Sequence, residues 1–453
     1  MVNAKSVIIK KHLVIIIAKL KNKLYLIIPL FSILFYALIA LYKDNFTLIP
    51  AADFPTYYYC SKLILTNPEK IYFFEIQPFP YTPFFAILFI PMGFLTFEQA
   101  HVFFFSVILI LSLICIILFD QIVILKNITK KSHRLLFLIA ISNGIIYVQM
   151  FDTLGARILT TFGLLWFLKR EIKIRVLNKE VTKSKFIFSQ MMILIFMFGV
   201  TLQYVFLVLL YLFYNVKFKD ILSNVQVKKY FFLILSFLIQ NFMLIVIYFI
   251  SPEAILNFIG GSYRGNRTIA GSRITYDYIL EKRPRDPTDG ISITLVVINQ
   301  YYSLAGIYIN ILLLSVIIMS IITLFIHLKK ELKIENKFGL WALCSLFFYT
   351  FTHERYFVGL LPMITILFLD YPLKSDKYII NFLKANYLQI LGLFCIIILY
   401  FVPPIHYLIR IFPLLVNIPI AFLYLKYIYI YISLVIILLF LKKKQKKNDC
   451  SMK

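Results

Sequence analysis

His101 to Leu125 reads HVFFFSVILILSLICIILFDQIVIL, an almost unbroken apolar run followed at once by the basic stretch KNITKKSHR, Lys126 to Arg134. A bilayer hydrocarbon core of about 30 Å is crossed by roughly 20 apolar residues of helix, so this run is long enough to span. The lysines and arginine behind it belong on the cytoplasmic side. Comparable runs recur from Leu24 to Leu441 in a chain of 453 residues that is 61% hydrophobic with a mean hydropathy of +0.86. A water-soluble domain has no way to hide that much apolar surface. The chain therefore reads as an all-α polytopic membrane protein.

The formal net charge of +26 raises nucleic acid as a partner, but location decides what charge means. The basic residues cluster at Lys5 to Lys23, Lys126 to Arg134, Lys169 to Lys185, Lys217 to Lys229, Lys329 to Lys337, Lys374 to Lys384 and Lys442 to Lys453, in short loops between apolar runs. That is the positive-inside pattern, with membrane lipids rather than nucleic acid as the partner. The five cysteines (Cys60, Cys115, Cys344, Cys395, Cys450) have unrelated spacings and show neither a disulfide framework nor a zinc pattern. GGSYRG, Gly260 to Gly265, lacks the Lys-Ser/Thr ending and strand context of a phosphate loop. The first apolar run follows a basic start and lacks a small-residue cleavage site, so it reads as a retained span.

With every basic cluster inside, spans are expected near 24–42, 101–125, 135–151, 153–168, 186–200, 203–216, 230–250, 306–326, 338–351, 356–371, 387–402 and 424–441, about 12 in all. Pro83 to Phe97, short and interrupted by Pro91 and Gly93, is expected to be an interfacial or re-entrant helix. His406 to Leu423, cut by Pro413 and Pro419, has the same reading. Residues 43–100 and 251–305 then form two external segments on one transmembrane catalytic domain, 1–453. Loops on a rigid bundle are where binding and chemistry usually sit.

The first external segment contains AADFPTYYYCSKL, Ala51 to Leu63. Tyr57, Tyr58, Leu63 and Ile64 recur at roughly helical spacing, as an amphipathic interfacial helix requires. Tyrosines in such a helix serve either as interface anchors or as sugar-stacking platforms. Asp53 alone can cap the helix that starts near Pro55. In order, though, Asp53, Phe54, Tyr57, Tyr58 and then Tyr81, Pro83, Ala86, Leu88 and Pro91 resemble the first external loop of the GT-C membrane glycosyltransferases. The likeness is greatest to glycosyltransferase family 87, the polyprenol-phosphate-mannose-dependent mannosyltransferases. FFYTFTHERYFVGLLP, Phe347 to Pro362, and INQYYSLAGI with Asn299 loosely resemble two later elements of that family.

The resemblance implies a GT-C-like bundle that transfers a sugar, mannose by family likeness, from a polyprenyl-phosphate donor to a lipid or glycan acceptor with inversion. The active site is expected on the external face; the high Lys, Ile and Tyr content and the absence of a cleavable signal fit a prokaryotic plasma membrane, with the endoplasmic reticulum as the alternative. One base suffices because phosphate is a good leaving group; Asp53 has that role, with His353 the second catalytic residue. Charge growing on the departing phosphate calls for cations, and Arg264, Arg267 and Arg355 supply them. Arg264 and Arg267 can instead balance acids of their own loop, and His353 can simply meet water. Tyr57, Tyr58, Tyr81, Glu354 and Asn299 are the implied substrate contacts. No Asp-x-Asp or clustered acid set offers a divalent metal its ligands, so neither metal nor cofactor is expected. The chain departs from the family at YVQMFDTLGAR (Gln149, Asp152), at Gln203 where a lysine is usual, and in the order His353-Glu354. The rival reading is a polytopic transporter or lipid-linked oligosaccharide flippase, which would show inverted repeats and mid-membrane charges.

Overall fold

The computed structural model describes residues 23–43, 54–72, 83–144, 146–153, 157–177, 183–200, 204–213, 216, 220–254, 333–348, 357–371, 373–374, 378–401 and 433–441. Among these, every regular element is a helix. The elements are α1 (Ile27–Lys43, entered by a 3₁₀ turn Leu24–Leu26), α2 (Phe54–Thr66), α3 (Pro83–Ile87), α4 (Ile90–Gly93), α5 (Phe97–Leu125), α6 (Lys131–Ser142) and α7 (Ile146–Thr153). They continue as α8 (Arg157–Val176), α9 (Ser184–Val200), α10 (Val205–Leu212), α11 (Asn224–Ile250), α12 (Ile334–Phe348), α13 (Phe357–Leu369) and α14 (Ile379–Phe401), followed by a helix over 433–441. Among the described residues, four helices are long and apolar enough to cross a membrane: Leu24–Tyr42, Phe97–Leu125, Asn224–Ile250 and Ile379–Ile398. The protein is an all-α membrane protein.

α5 shows how the sequence sets its own limits. Thr96 caps its start: the Gln99 amide donates to Thr96 Oγ1 (3.3 Å), and the Thr96 amide donates back to Gln99 Oε1 (3.2 Å). This reciprocal box satisfies two amides that the first turn leaves over. At the other end Asn127 adopts a left-handed φ of 64°, which asparagine tolerates better than most residues. The Ile128 amide reaches back to the Val123 carbonyl and the Asn127 amide to that of Ile124, closing the helix as glycine more often does. Ile128 and Val123 are both buried, the apolar contact that accompanies such an ending.

The expected span 135–151 is two pieces. α6 stops at Ser142 and α7 starts at Ile146, because Asn143 turns its side-chain amide back onto the Ile139 carbonyl (3.0 Å) and Gly144 follows. Among the described residues of the expected span 203–216, α10 covers Val205–Leu212, and the span expected at 153–168 overlaps α8, Arg157–Val176. The span expected at 306–326 lies outside the described residues. Pro83 to Phe97 forms α3, α4 and the start of α5; the first two, of five and four residues, are far too short to cross.

α5 lies along α8, α9 along α11 and α12 along α13. The last pair approaches closely at Gly339, where a Cβ would stand 2.6 Å from the Met363 carbonyl oxygen. Small residues at such crossings let helix backbones meet where no hydrophobic effect drives them together.

Side-chain bonds bring helix ends of alternating direction onto one face. Lys126 at the end of α5 binds Glu335 at the start of α12 (2.8 Å) and Asp370 just past α13 (2.6 Å), and Arg175 near the end of α8 binds Glu335 as well. Arg134 of α6 grips Asp120 of α5 through two donors (2.9 and 2.6 Å), and Tyr25 donates to the same carboxylate (2.7 Å). His133 stacks on Phe382 at the start of α14, and Gln226 of α11 donates to the Leu212 carbonyl ending α10. This face, called inner below, carries the described residues of the basic clusters.

Candidate functional site

At the opposite, outer end, α2 is seated on the start of α5 by aromatic rings. Phe54, fully buried, meets His101 edge-on at 4.8 Å and Phe97 at 5.2 Å. Tyr57 stacks on Phe89 at 4.8 Å and meets Phe85 and Phe104 edge-on. Tyr58 donates its hydroxyl to the Leu95 carbonyl (3.1 Å), meets Phe97 edge-on at 5.1 Å and carries the Lys62 ammonium over its ring at 4.6 Å. The α3–α4 hairpin presses against the other side: a Cβ on Gly93 would stand 3.0 Å from the Ser61 carbonyl oxygen. Phe84 and Phe85 reach Phe196 near the outer end of α9.

Only a stripe of α2 at Tyr59, Lys62, Leu65 and Thr66 is exposed, so this helix is buried more deeply than one floating in the interface. The rings of Tyr57 and Tyr58, expected as substrate contacts, are 1% and 4% exposed and packed against phenylalanines. Period alone did not reveal this, because α3 and α4 cover the face that an isolated amphipathic helix would turn to lipid or sugar. The other expected site residues, Asp53, Tyr81, Arg264, Arg267, Asn299, His353, Glu354 and Arg355, lie outside the described residues, as does Gln203.

The chain matches no protein-family model, no curated protein and no solved structure.

The structure adds a residue that the sequence reading passed over. His101 is 4% exposed, and neither ring nitrogen has a hydrogen-bond partner among the described residues. Buried polar atoms are nearly always paired, so an imidazole with both nitrogens unmatched marks a place where polarity is wanted. Thr56 Oγ1, on the helix that packs against it, is also buried and unmatched among the described residues. The available signal was a lone histidine at the head of an apolar run.

A second convergence joins the starts of three helices that follow stretches singled out in the sequence. The hydroxyls of Thr160 and Thr161 donate to the Arg157 carbonyl (2.7 and 3.1 Å), and Tyr204 donates to Thr160 Oγ1 at 3.5 Å. A Cβ on Gly359 would stand 3.1 Å from Thr161 Oγ1 and 3.3 Å from the Tyr204 hydroxyl. The starts of α8, α10 and α13, which follow Asp152, Gln203 and the HERY stretch in the chain, therefore pack on one another. Trp341 of α12 closes against the Tyr204 ring at 5.5 Å.

Several polar groups of the inner face, by contrast, are engaged. Burial pushes the Glu335 carboxyl up, but Lys126 and Arg175 outweigh it and hold the group below its ordinary value. Gln190 donates to the buried Glu171 (2.9 Å) and to the Phe167 carbonyl (3.2 Å). These groups lock helices to one another. Among the described residues, no group of three or more His, Cys, Asp or Glu side chains is arranged to hold a metal ion.

Proposed function

We propose that the protein is a multi-pass glycosyltransferase with a GT-C-like bundle of about 12 spans, active at the outer face of a prokaryotic plasma membrane. It transfers a sugar, mannose before others, from a polyprenyl-phosphate donor to a lipid or glycan acceptor. The Asp53 carboxylate takes the proton of the acceptor hydroxyl, and that oxygen attacks the anomeric carbon. The bond from that carbon to the phosphate oxygen breaks, and polyprenyl phosphate leaves with the bonding pair. Arg264, Arg267 and Arg355 meet the phosphate charge, His353 assists at the reacting centre, and Tyr81, Glu354 and Asn299 contact the sugars. Tyr57 and Tyr58 serve this reading as supports of α2.

The observation that supports it most is the seat of α2. Asp53 is the residue before the first of that helix, and Phe54 and Tyr57 anchor the helix rigidly to the outer end of α5. Proton transfer demands a base held in a fixed geometry, and a firmly seated helix next in the chain favours that. The resemblance of the first loop supplies the donor class. The transporter reading draws on buried Glu171 and Lys229, but these sit near the inner helix ends. There Glu171 accepts from Gln190, and Lys229 donates to the Tyr211 carbonyl (3.3 Å).

The test is sugar transfer from radiolabelled polyprenyl-phosphate-mannose to a membrane lipid extract, by purified wild type and Asp53→Asn in nanodiscs. Transfer that vanishes in a folded Asp53→Asn supports the enzyme and the base. Equal transfer by both removes Asp53 from the mechanism. An inert wild type that moves a fluorescent lipid-linked sugar between leaflets turns the reading to the flippase.

A further inference from the structure

The more exposed side of α8 has an order that packing does not require. Phe162, Trp166, Lys169, Arg170, Lys173 and Leu177 recur at spacings of three and four, so they share one face of the helix. Trp166 is 44% and Leu177 49% exposed, and Lys173 is exposed between them. Phe162 supports the indole edge-on at 5.2 Å. Glu171, the only acid among the described residues of α8 and α9, points the opposite way, 4% exposed, with Gln190. No carboxylate among the described residues pairs with Lys169, Arg170 or Lys173.

α9 extends the cationic patch. Arg170 donates to Ser189, and its guanidinium lies 5.2 Å from the Phe186 ring centroid, which aims the group along the seam between the helices. Lys185, one turn before Ser189 toward the inner face, is exposed. An exposed indole one to two turns toward the bilayer from a cluster of cations matches a phospholipid. The indole belongs at the glycerol level and the cations at the phosphate, about 10 Å away over seven residues of helix. Three acids elsewhere on this face already have cations: Asp120 has Arg134, Glu335 has Lys126 and Arg175, and Asp370 has Lys126. Among the described residues no carboxylate pairs with the patch, so its charge is open to an outside anion.

We propose that Trp166, Lys169, Arg170 and Lys173 of α8, with Lys185 of α9, bind the headgroup of an anionic phospholipid in the inner leaflet. The site stands apart from the outer face and does not depend on the sugar-transfer reading. Its occupant would tie the end of α8 to the start of α9.

The test is native mass spectrometry of the full-length protein in nonionic detergent with equimolar phosphatidylglycerol and phosphatidylcholine. Wild type is expected to retain phosphatidylglycerol preferentially. The triple variant Lys169→Gln, Lys173→Gln, Lys185→Gln should lower that preference on the order of a hundredfold at low salt, with phosphatidylcholine retention unchanged. All three lysines lack hydrogen-bond and ion-pair partners among the described residues and Arg170 stays in place, so the fold is kept; an unchanged melting point in phosphatidylcholine checks it. Trp166→Leu should weaken retention of both lipids. The matched triple Lys228→Gln, Lys333→Gln, Lys374→Gln, on the same face, should leave the preference intact. An equal loss in that variant would overturn the site in favour of a diffuse charge effect. Displacement of the lipid by equally dilute glycerol phosphate would overturn it in favour of a plain anion site.

Discussion

Glu335 is the keystone of the inner face, and its removal is the sharpest test of how the bundle is tied. Its side chain is 1% exposed, with Lys126 at 2.8 Å and Arg175 on the other oxygen, and the Lys126 side chain is itself only 5% exposed. Removing one partner of a buried pair typically costs about 3–5 kcal/mol, because the charge left behind is neither solvated nor matched. Two features place Glu335→Ala at the lower end. Lys126 keeps Asp370 at 2.6 Å, and Arg175, 27% exposed, can turn to water. The expected loss is therefore about 3 kcal/mol. Unfolding in mixed micelles, followed by Trp341 fluorescence in a Trp166→Phe background, reads it, since Trp341 lies on the same helix and touches Tyr204. A double-mutant cycle with Lys126→Met should give a coupling above about 1 kcal/mol. Additive effects, or a loss under about 0.5 kcal/mol for Glu335→Ala, would refute the view that this cluster holds α5, α8, α12 and α13 together.

The same carboxyl makes an acid limb: its folded pKa lies below the unfolded value of 4.5, so its contribution is complete above that pH and is lost as pH falls through the lower folded value. Unfolding midpoints measured down to about pH 3 should show this limb in wild type and its reduction in Glu335→Gln. Gly339→Ala, which drives a Cβ to 2.6 Å from a backbone oxygen, should cost about 1–3 kcal/mol. Gly163→Ala, whose Cβ would meet Met197 at an ordinary 3.4 Å, should stay within about 1 kcal/mol, and equal losses would contradict the crossing geometry. Tyr25→Phe removes one of the three donors on Asp120 and should cost about 1 kcal/mol in the same assay. With Cys450 replaced by serine, a cysteine at exposed Asn127 should react in intact cells only with a membrane-permeant maleimide, and one at exposed Glu253 with an impermeant reagent too. The reverse pattern would invert the inner and outer faces.

Much of the architecture was legible because hydropathy and charge add up locally. Nothing beyond the run His101 to Leu125 and the lysines after it is needed to predict a spanning helix and the side of its end. The break at Asn143–Gly144 was also written locally, yet the apolar residues on both sides concealed it. The Thr96–Gln99 box set the start of α5 four residues before the expected boundary.

Sequence alone thus determined an all-helical membrane protein, its main apolar runs and the grouping of its basic loops. Tertiary structure alone decided which charges are neutralised and which rings are enclosed. Lys126 and Asp370 are 244 positions apart, and no local pattern announces their contact. Tyr57 reads as amphipathic until α3 and α4 fold over it, and His101 reads as part of a span until its nitrogens are found buried without described partners. Pairing and burial depend on which surfaces meet, and in a bundle of similar apolar helices that choice rests on a few polar bonds and close glycine crossings.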